Sequence, residues 1–462
     1  MTLSSTFKDH ILSTEHVDYY YGFTHDIPLL DQADISHVKT VYSDILSGKA
    51  VNISENRAAT HHQLRASSVD YQYLHQFIHH IHSSKTFNAI CHIGVGGSFS
   101  GVKFVSQALN AWSQPQCLPL YFISSHDEDH IQSVLNQFDI ATTLFVIVSK
   151  SGTTIECDKI VAAISQSYQH PNFLKKQCIA VTATGSPLDT DSYLERFTFD
   201  VGVGGRFSTT SYVGLVSLGL SYGPKIIHDF LQGARTGDED STRDLSQNIA
   251  LIQAVVRFFQ SKKHSALALV PYGEALSSLP PFMGQLICES LGKFISNDSQ
   301  RLMMSPAPYL MHGVGPDAQH TFFQQLHQGV DIIPVEFIYA LPRSNNQCHI
   351  LKQIIGQMLA LHEGNTNDSL YHSFDGHRPN SLTIIKNTSV FGLGYFISLL
   401  ENRIMFEGIL HNINPFDQPG VELGKKITAS IDENGSIAHQ IYDVVRDQLN
   451  VPSQGLFDRT GP

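Results

Sequence analysis

The sequence predicts an α/β fold with parallel-rich sheets wound by helices on both faces and divided between two domains. Three observations carry this prediction. Short apolar runs ending in Gly, Ser or Thr alternate with longer segments of helical period. One strand, glycine loop and helix plan, "FNAICHIGVGGSFSGVKFVSQALNAW", recurs about fifty residues later as "LFVIVSKSGTTIECDKIVAAISQSY". After a polar stretch at 232–244, strands resume at "ALALVPYG", "DIIPVEFIYAL" and "SLTIIKN".

Taken in order, residues 1–44 read as a helical N-terminal extension. Residues 45–230 hold the first α/β domain, to which "LYFISSHD" and "QCIAVTATGS" add two strands ending in polar turns. Residues 245–430 hold the second, and 431–462 form a C-terminal helix and tail. The run 388–413 is too apolar for a surface helix yet carries Glu401, Arg403 and Glu407, so it reads as a buried or interface helix and not a membrane span. Its charges require partners inside the protein.

Composition narrows the function classes. Of 462 residues, 42 are acidic and 30 basic, a formal net charge of −12 that argues against a nucleic-acid surface but leaves room for a local basic pocket. A small-molecule partner fits best. Six cysteines without CxxC spacing suit reduced thiols in a cytoplasmic enzyme better than a disulfide frame or a metal site. No leader-like segment opens the chain and no apolar stretch of about 18 residues occurs, so no membrane partner is expected. His75 and His79, four apart on a predicted helix, could meet a metal but read as a solvated face.

The glycine loops indicate an anionic ligand. In "IGVGGSFSG" a strand runs into Gly94, Gly96, Gly97 and Ser98 before a helix, where backbone N–H groups and the helix dipole attract phosphate or carboxylate. Phe99 stands where the dinucleotide fingerprint has its third glycine, so NAD is not expected. "SKSGTT" offers the hydroxyls of Ser149, Ser151, Thr153 and Thr154 beside Lys150, a nest for a phosphate monoester. The plain alternative is a turn that caps the following helix. The segment lacks the pattern of a triphosphate-binding loop.

Further constellations are "GGRFSTTSYVGL", with Arg206 placed to stabilise an oxyanion, and "QLICESLGKFI", with Gln285 and Glu289 on one helical face. In "NPFDQPGVELGKKI", Lys425 comes near the start of a helix. Singly each has a plain explanation: an interdomain salt bridge for Arg206, a capped surface carboxylate for Glu289 and a solvated lysine for Lys425. "GPDAQHTFFQQLHQG" reads as the start of an amphipathic helix burying Phe322, Phe323 and Leu326, with a Gly-Pro-Asp turn delivering His320 to its opening.

Together these segments resemble the glucose-6-phosphate isomerase (phosphoglucose isomerase) family of two-domain sugar isomerases. "VNISENRAATHHQLR" is similar to that family's N-x-T-E-x-R-A-x-x-H-x-x-L-R segment, and "IGVGGSFSG", "SKSGTT", "GGRFS", "ESLGK", "GPDAQHTFFQQLHQG" and "FDQPGVELGK" follow in family order. Glu289 and His320 lie 31 residues apart, as the matching pair does. The resemblance implies two doubly wound sugar-isomerase domains, a homodimer with shared sites, no cofactor and no metal. It implies that Ser98, Ser149, Lys150, Ser151 and Thr154 bind phosphate and that Gly97 and Gln285 make other substrate contacts. Glu289 would move the proton between carbons 1 and 2, Arg206 would steady the enediolate, His320 and Lys425 would open the sugar ring, and Glu156 would orient the histidine. Where many members have "GTNGQH", "SKTFTT", "MESNGK" and a Trp, this chain has "GPDAQH", "SKSGTT", "CESLGK" and Pro419. Those changes leave the expected reactive side chains in place and alter their neighbours.

The expected activity is therefore reversible isomerisation of glucose 6-phosphate and fructose 6-phosphate, in glycolysis and gluconeogenesis. A non-catalytic sugar-phosphate regulator, or an isomerase of a related sugar phosphate, is the alternative. A regulator has no need of Glu289, His320 and Lys425 together. The isomerase half of an amidotransferase would need an amide-hydrolysing domain, for which the segment before residue 45 is too short.

Overall fold

The computed structural model describes residues 10–24, 30–49, 51–66, 68–342, 348–367, 369–431 and 436–449. Its first two strands, β1 (Ile11–Ser13) and β2 (Val17–Phe23), pair antiparallel. Among the described residues the N-terminal extension is thus partly β, not helical throughout as expected, and a helix follows at Gln32–Leu46. The run Val17-Asp-Tyr-Tyr-Tyr supplies β-branched and aromatic residues with Val17 and Tyr19 buried, a pattern that fits a pleated, half-buried surface.

Five parallel strands form one sheet in the order β4-β3-β5-β6-β7: β3 (Ala89–Ile93), β4 (Leu120–Ile123), β5 (Thr143–Val148), β6 (Cys178–Ala183) and β7 (Glu195–Phe199). Every residue of β3, β5 and β6 is buried, which is why these strands read as continuous apolar runs without alternation. The chain passes from β3 to β4 on one side and returns to β5 on the other. Ligands of such sheets bind beyond the strand ends at this reversal, and here both glycine loops leave from it.

The second sheet has the order β1-β2-β11-β10-β8-β9, built from β8 (Ala266–Tyr272), β9 (Tyr309–His312), β10 (Val335–Ala340) and β11 (Asn380–Ile385). These four are mutually parallel, and β2 adds antiparallel to β11, with Val17 opposite Ile385 and Tyr20 opposite Leu382. The N-terminal hairpin covers an edge that would otherwise expose unpaired backbone groups.

The polar stretch at 232–244 is not a linker, because most of it belongs to the helix Lys225–Asp240. That helix packs against Val390–Leu410, and glycines permit the approach. A Cβ on Gly233 would lie 1.9 Å from the Phe391 carbonyl oxygen, and one on Gly394 would lie 2.0 Å from that of Phe230. The helix Val390–Leu410 is buried along nearly its whole length, as its sequence suggested. Its charges are paired: Arg403 reaches Glu336 through both terminal nitrogens (2.8 and 2.7 Å) and Glu407 through Nε (2.9 Å), while Glu401 meets Arg65. Arg65 also holds Asp238 at 2.8 Å. Burial pushes the Glu401 carboxyl up to about 7 against the pull of Arg65. Removing one partner from such a buried pair costs about 3–5 kcal/mol, since the other charge is left without compensation.

These elements belong to one compact unit that ends at Phe416; Asp417–Pro462 form a second. Within the second unit, Gly420–Ser430 and Ile437–Gln448 are helices that contact each other. Among the described residues, no helix is long and apolar enough to cross a membrane.

Candidate active site

The glycine loop after β3 tightens into a 3-10 turn at Gly96–Ser98, and the helix Ser100–Ala111 follows. A Cβ on Gly97 would lie 2.2 Å from the carbonyl carbon of Gly205, so only glycine lets the two loops touch. Ser208 Oγ donates to the carbonyls of Gly205 (2.6 Å) and Gly97 (3.3 Å), tying the loops further.

Arg206 projects from this junction and is buried. It donates from Nε to Ser290 Oγ at 2.6 Å, from Nη1 to Glu289 Oε2 at 3.2 Å, and from Nη2 to the Pro415 carbonyl. Glu289 and Gln285 lie on the helix Leu279–Leu291, whose four-residue spacing places Gln285 Nε2 at 3.0 Å from Glu289 Oε1. Gln285 Oε1 in turn accepts from Ser100 Oγ at 2.8 Å. Arg206, Glu289 and Gln285 are therefore one hydrogen-bonded cluster, and Gly97 packs against the Gly205–Arg206 backbone beside it. The Glu289 side chain stays 29% exposed while Arg206 is 1% exposed, so the carboxylate is accessible and its cationic partner is fixed. An accessible carboxylate beside a fixed guanidinium can take a proton from carbon while the cation stabilises the resulting oxyanion.

The second loop follows β5 as a nest of hydroxyls. Ser149 Oγ and Thr154 Oγ1 are 2.7 Å apart, Ser149 Oγ accepts from Gly152 N at 3.2 Å, and Ser151 Oγ accepts from Thr153 N at 3.2 Å and from Thr153 Oγ1 at 3.0 Å. Thr154 precedes the helix Ile155–Tyr168 but makes no side-chain cap bond; its hydroxyl turns toward Ser149 instead. Burial, then the nearby positive charge of Arg57, brings the Lys150 ammonium down to about 8, with Arg206 adding to the effect. The nest thus lies within the electrostatic reach of Arg206.

A pH dependence follows. Below about 8 Lys150 is charged and attracts a phosphate; above it the unliganded protein must bind a proton to restore that attraction, so affinity declines as pH rises. Affinity for inorganic phosphate is expected to fall by up to about tenfold per unit above pH 8, and Lys150→Met should flatten that slope. Calorimetric titration between pH 7 and 9.5 checks this; a slope unchanged in the variant would clear Lys150 of the role.

Within the first unit, His320 and Glu156 make no hydrogen bond to this cluster. His320 is exposed, and the segment around it is two short helices, Gly315–Gln319 and Phe323–Gln328, not the single helix expected. Gly315-Pro-Asp forms the first turn of the former, and His320 closes its end. Ala318 and Phe323 are both buried; residues five apart on a continuous helix point some 140° away from each other, and the break lets both be covered. Phe323 and Leu326 are buried as expected; Phe322 is only partly so. Glu156, in the first turn of Ile155–Tyr168, makes no hydrogen bond to His320. Lys425 lies in the second unit, paired with Glu422 at 2.9 Å and exposed. His75 and His79 belong to no group of three or more potential metal ligands among the described residues.

Sequence reasoning passed over Arg57, Ser100 and His92. Arg57 stood in a quoted motif without a role, Ser100 is a hydroxyl in the first turn of the helix after the glycine loop, and His92 was hidden within an apolar strand.

Residues 24–445 match the family model described as phosphoglucose isomerase. The chain belongs to the phosphoglucose isomerase family. It is 32% identical over 455 residues to the glucose-6-phosphate isomerase of Borreliella afzelii (strain PKo), covering 89% of this chain and 86% of that one. It is 37% identical over 381 residues to that of Chlamydia pneumoniae, covering 78% and 71%. The crystal structure of a glucose-6-phosphate isomerase from Chlamydia trachomatis D/UW-3/Cx superposes with a TM-score of 0.87 at 28% identity, over 96% of this chain and 94% of that chain.

Proposed function

We propose that this phosphoglucose isomerase family member interconverts glucose 6-phosphate and fructose 6-phosphate, in glycolysis and gluconeogenesis. The observation that carries the reading is the accessible Glu289 carboxylate held between Arg206 and Gln285 beside the glycine loop. In this reading residues 45–230 and 245–430 are the two sugar-isomerase domains. The phosphate is held by Ser98, Lys150 and the Ser149–Thr154 nest, far enough from the reacting carbons that its binding energy orients them. His320 and Lys425 open the ring by donating to and accepting from its oxygens, and Glu156 aims the histidine. Glu289 then carries the proton between carbons 1 and 2, and Arg206 stabilises the enediolate formed between the two transfers.

The exposure of His320 supports a homodimer in which a second copy supplies the histidine to each site. The acidic net charge and the absence of CxxC spacing among the cysteines support a cytoplasmic enzyme without nucleic-acid or membrane partners.

A coupled assay of the purified protein for conversion of fructose 6-phosphate to glucose 6-phosphate, with a chelator present, tests the reading. Turnover should persist; its absence would leave a sugar-phosphate regulator. The nest has its own test. Replacing Ser149 and Thr154 together by Ala removes two hydroxyls worth roughly 1.5–3 kcal/mol each toward a charged oxygen, so KM and the inhibition constant of a phosphorylated open-chain sugar acid should both rise. An inhibitor that binds the double variant unchanged places the phosphate elsewhere.

A further inference from the structure

His92 lies next to the end of β3, fully buried, in a strand whose other side chains are apolar. Both of its ring nitrogens are engaged. Nε2 lies 2.7 Å from the carbonyl oxygen of Ser98, and Nδ1 lies 2.8 Å from Ser217 Oγ on the helix Tyr212–Tyr222. A carbonyl oxygen can only accept, so Nε2 carries the hydrogen; in the neutral ring Nδ1 then accepts from the serine hydroxyl. Burial brings the imidazole down to about 4, which keeps it in this neutral form at ordinary pH.

The placement beneath the glycine loop is close. A Cβ on Gly94 would lie 3.2 Å from His92 Nε2 and 2.7 Å from the Ser98 oxygen, so the loop folds directly over the imidazole. The Ser98 carbonyl would otherwise face the core as an acceptor in need of a donor. With that carbonyl drawn down to the imidazole, the orientation of the Ser98 peptide is fixed and the helix starts at Ser100.

We propose that His92 is a positioning residue: anchored by Ser217, it holds the Ser98 carbonyl and so presets the glycine loop for the substrate phosphate. The proposal rests on the reading of Ser98 as a phosphate ligand. His92 touches no reacting atom and acts on binding through the loop.

The test compares His92→Phe, which keeps a flat ring without a donor, with His92→Gln, whose side-chain amide can place an N–H near the position of Nε2. In His92→Phe, KM for fructose 6-phosphate and the inhibition constant of inorganic phosphate should each rise about tenfold, with kcat within about twofold of the parent. His92→Gln should recover most of both. A folded His92→Phe protein with unchanged KM and phosphate inhibition overturns the proposal, and so does a His92→Gln protein as impaired as His92→Phe. If His92→Phe does not fold, Ser217→Ala, which removes only the hydroxyl holding the ring, should raise both constants about threefold at unchanged kcat, and no change there overturns the proposal equally. The Ser149/Thr154 double variant is measured alongside. If it weakens phosphate binding and the His92 and Ser217 variants do not, the reading of the phosphate site stands and the role of His92 falls. If neither does, the phosphate site itself is misassigned and the proposal falls with it.

Discussion

Glu289→Gln is expected to lower turnover by about 10²–10⁴-fold or more while the fold and sugar-phosphate binding persist. The amide is nearly isosteric with the carboxylate and its oxygen can still accept from Gln285 Nε2, but it cannot take a proton from carbon. Arg206 keeps Ser290 Oγ and the Pro415 carbonyl, so the cation stays in place. Exchange of solvent hydrogen into carbon 2 should fall in parallel with turnover, which separates a lost base from a lost ring-opening group. Near-normal turnover in a folded Glu289→Gln protein would remove this residue from the chemistry.

The second large effect belongs to the assembly. Glu289→Gln and His320→Ala homodimers should each be nearly inactive. If each site takes its glutamate from one chain and its histidine from the other, a heterodimer of the two variants collects both lesions in one site and leaves the other whole. Random mixing makes about half of the dimers mixed, each with one good site in two, so activity should return to roughly a quarter of the parent. Differential tagging to isolate the mixed dimers makes the measurement direct. If one chain supplied both residues, every site would carry a lesion and mixing would restore nothing.

The sequence carried the strands and their loops because continuous apolar runs and glycine turns are local signals. β3, β5 and β6 lie where those runs lie. Gln285 and Glu289 were legible as neighbours because four residues make about one helical turn. Arg206 could be singled out, but its grip on Ser290 and Pro415 could not, since those partners lie 84 and 209 residues away. The same limit hid the role of His92: inside "AICHIG" it looks like an interruption, and only the fold brings Ser98 and Ser217 to its two nitrogens. The break at His320 was missed for another reason. Phe323 and Leu326 suit a longer helix, and nothing in their spacing marks the break between Gly315–Gln319 and Phe323–Gln328.

The N-terminal hairpin has a consequence for the order in which the protein is made. β2 occupies residues 17–23 and pairs at once with β1, but its other partner, β11, lies at residues 380–385, so one edge of this early strand stays open until most of the chain has followed. The five-stranded sheet, drawn wholly from residues 89–199, has no such wait. Synthesis therefore passes through a stage with a complete first sheet and a tyrosine-rich hairpin whose β2 edge still lacks β11. Such a segment is the kind that chaperones shield and that aggregates when they are scarce. A chain interrupted before residue 380 should be recovered mainly in inclusion bodies, even though nothing in its first sheet is missing.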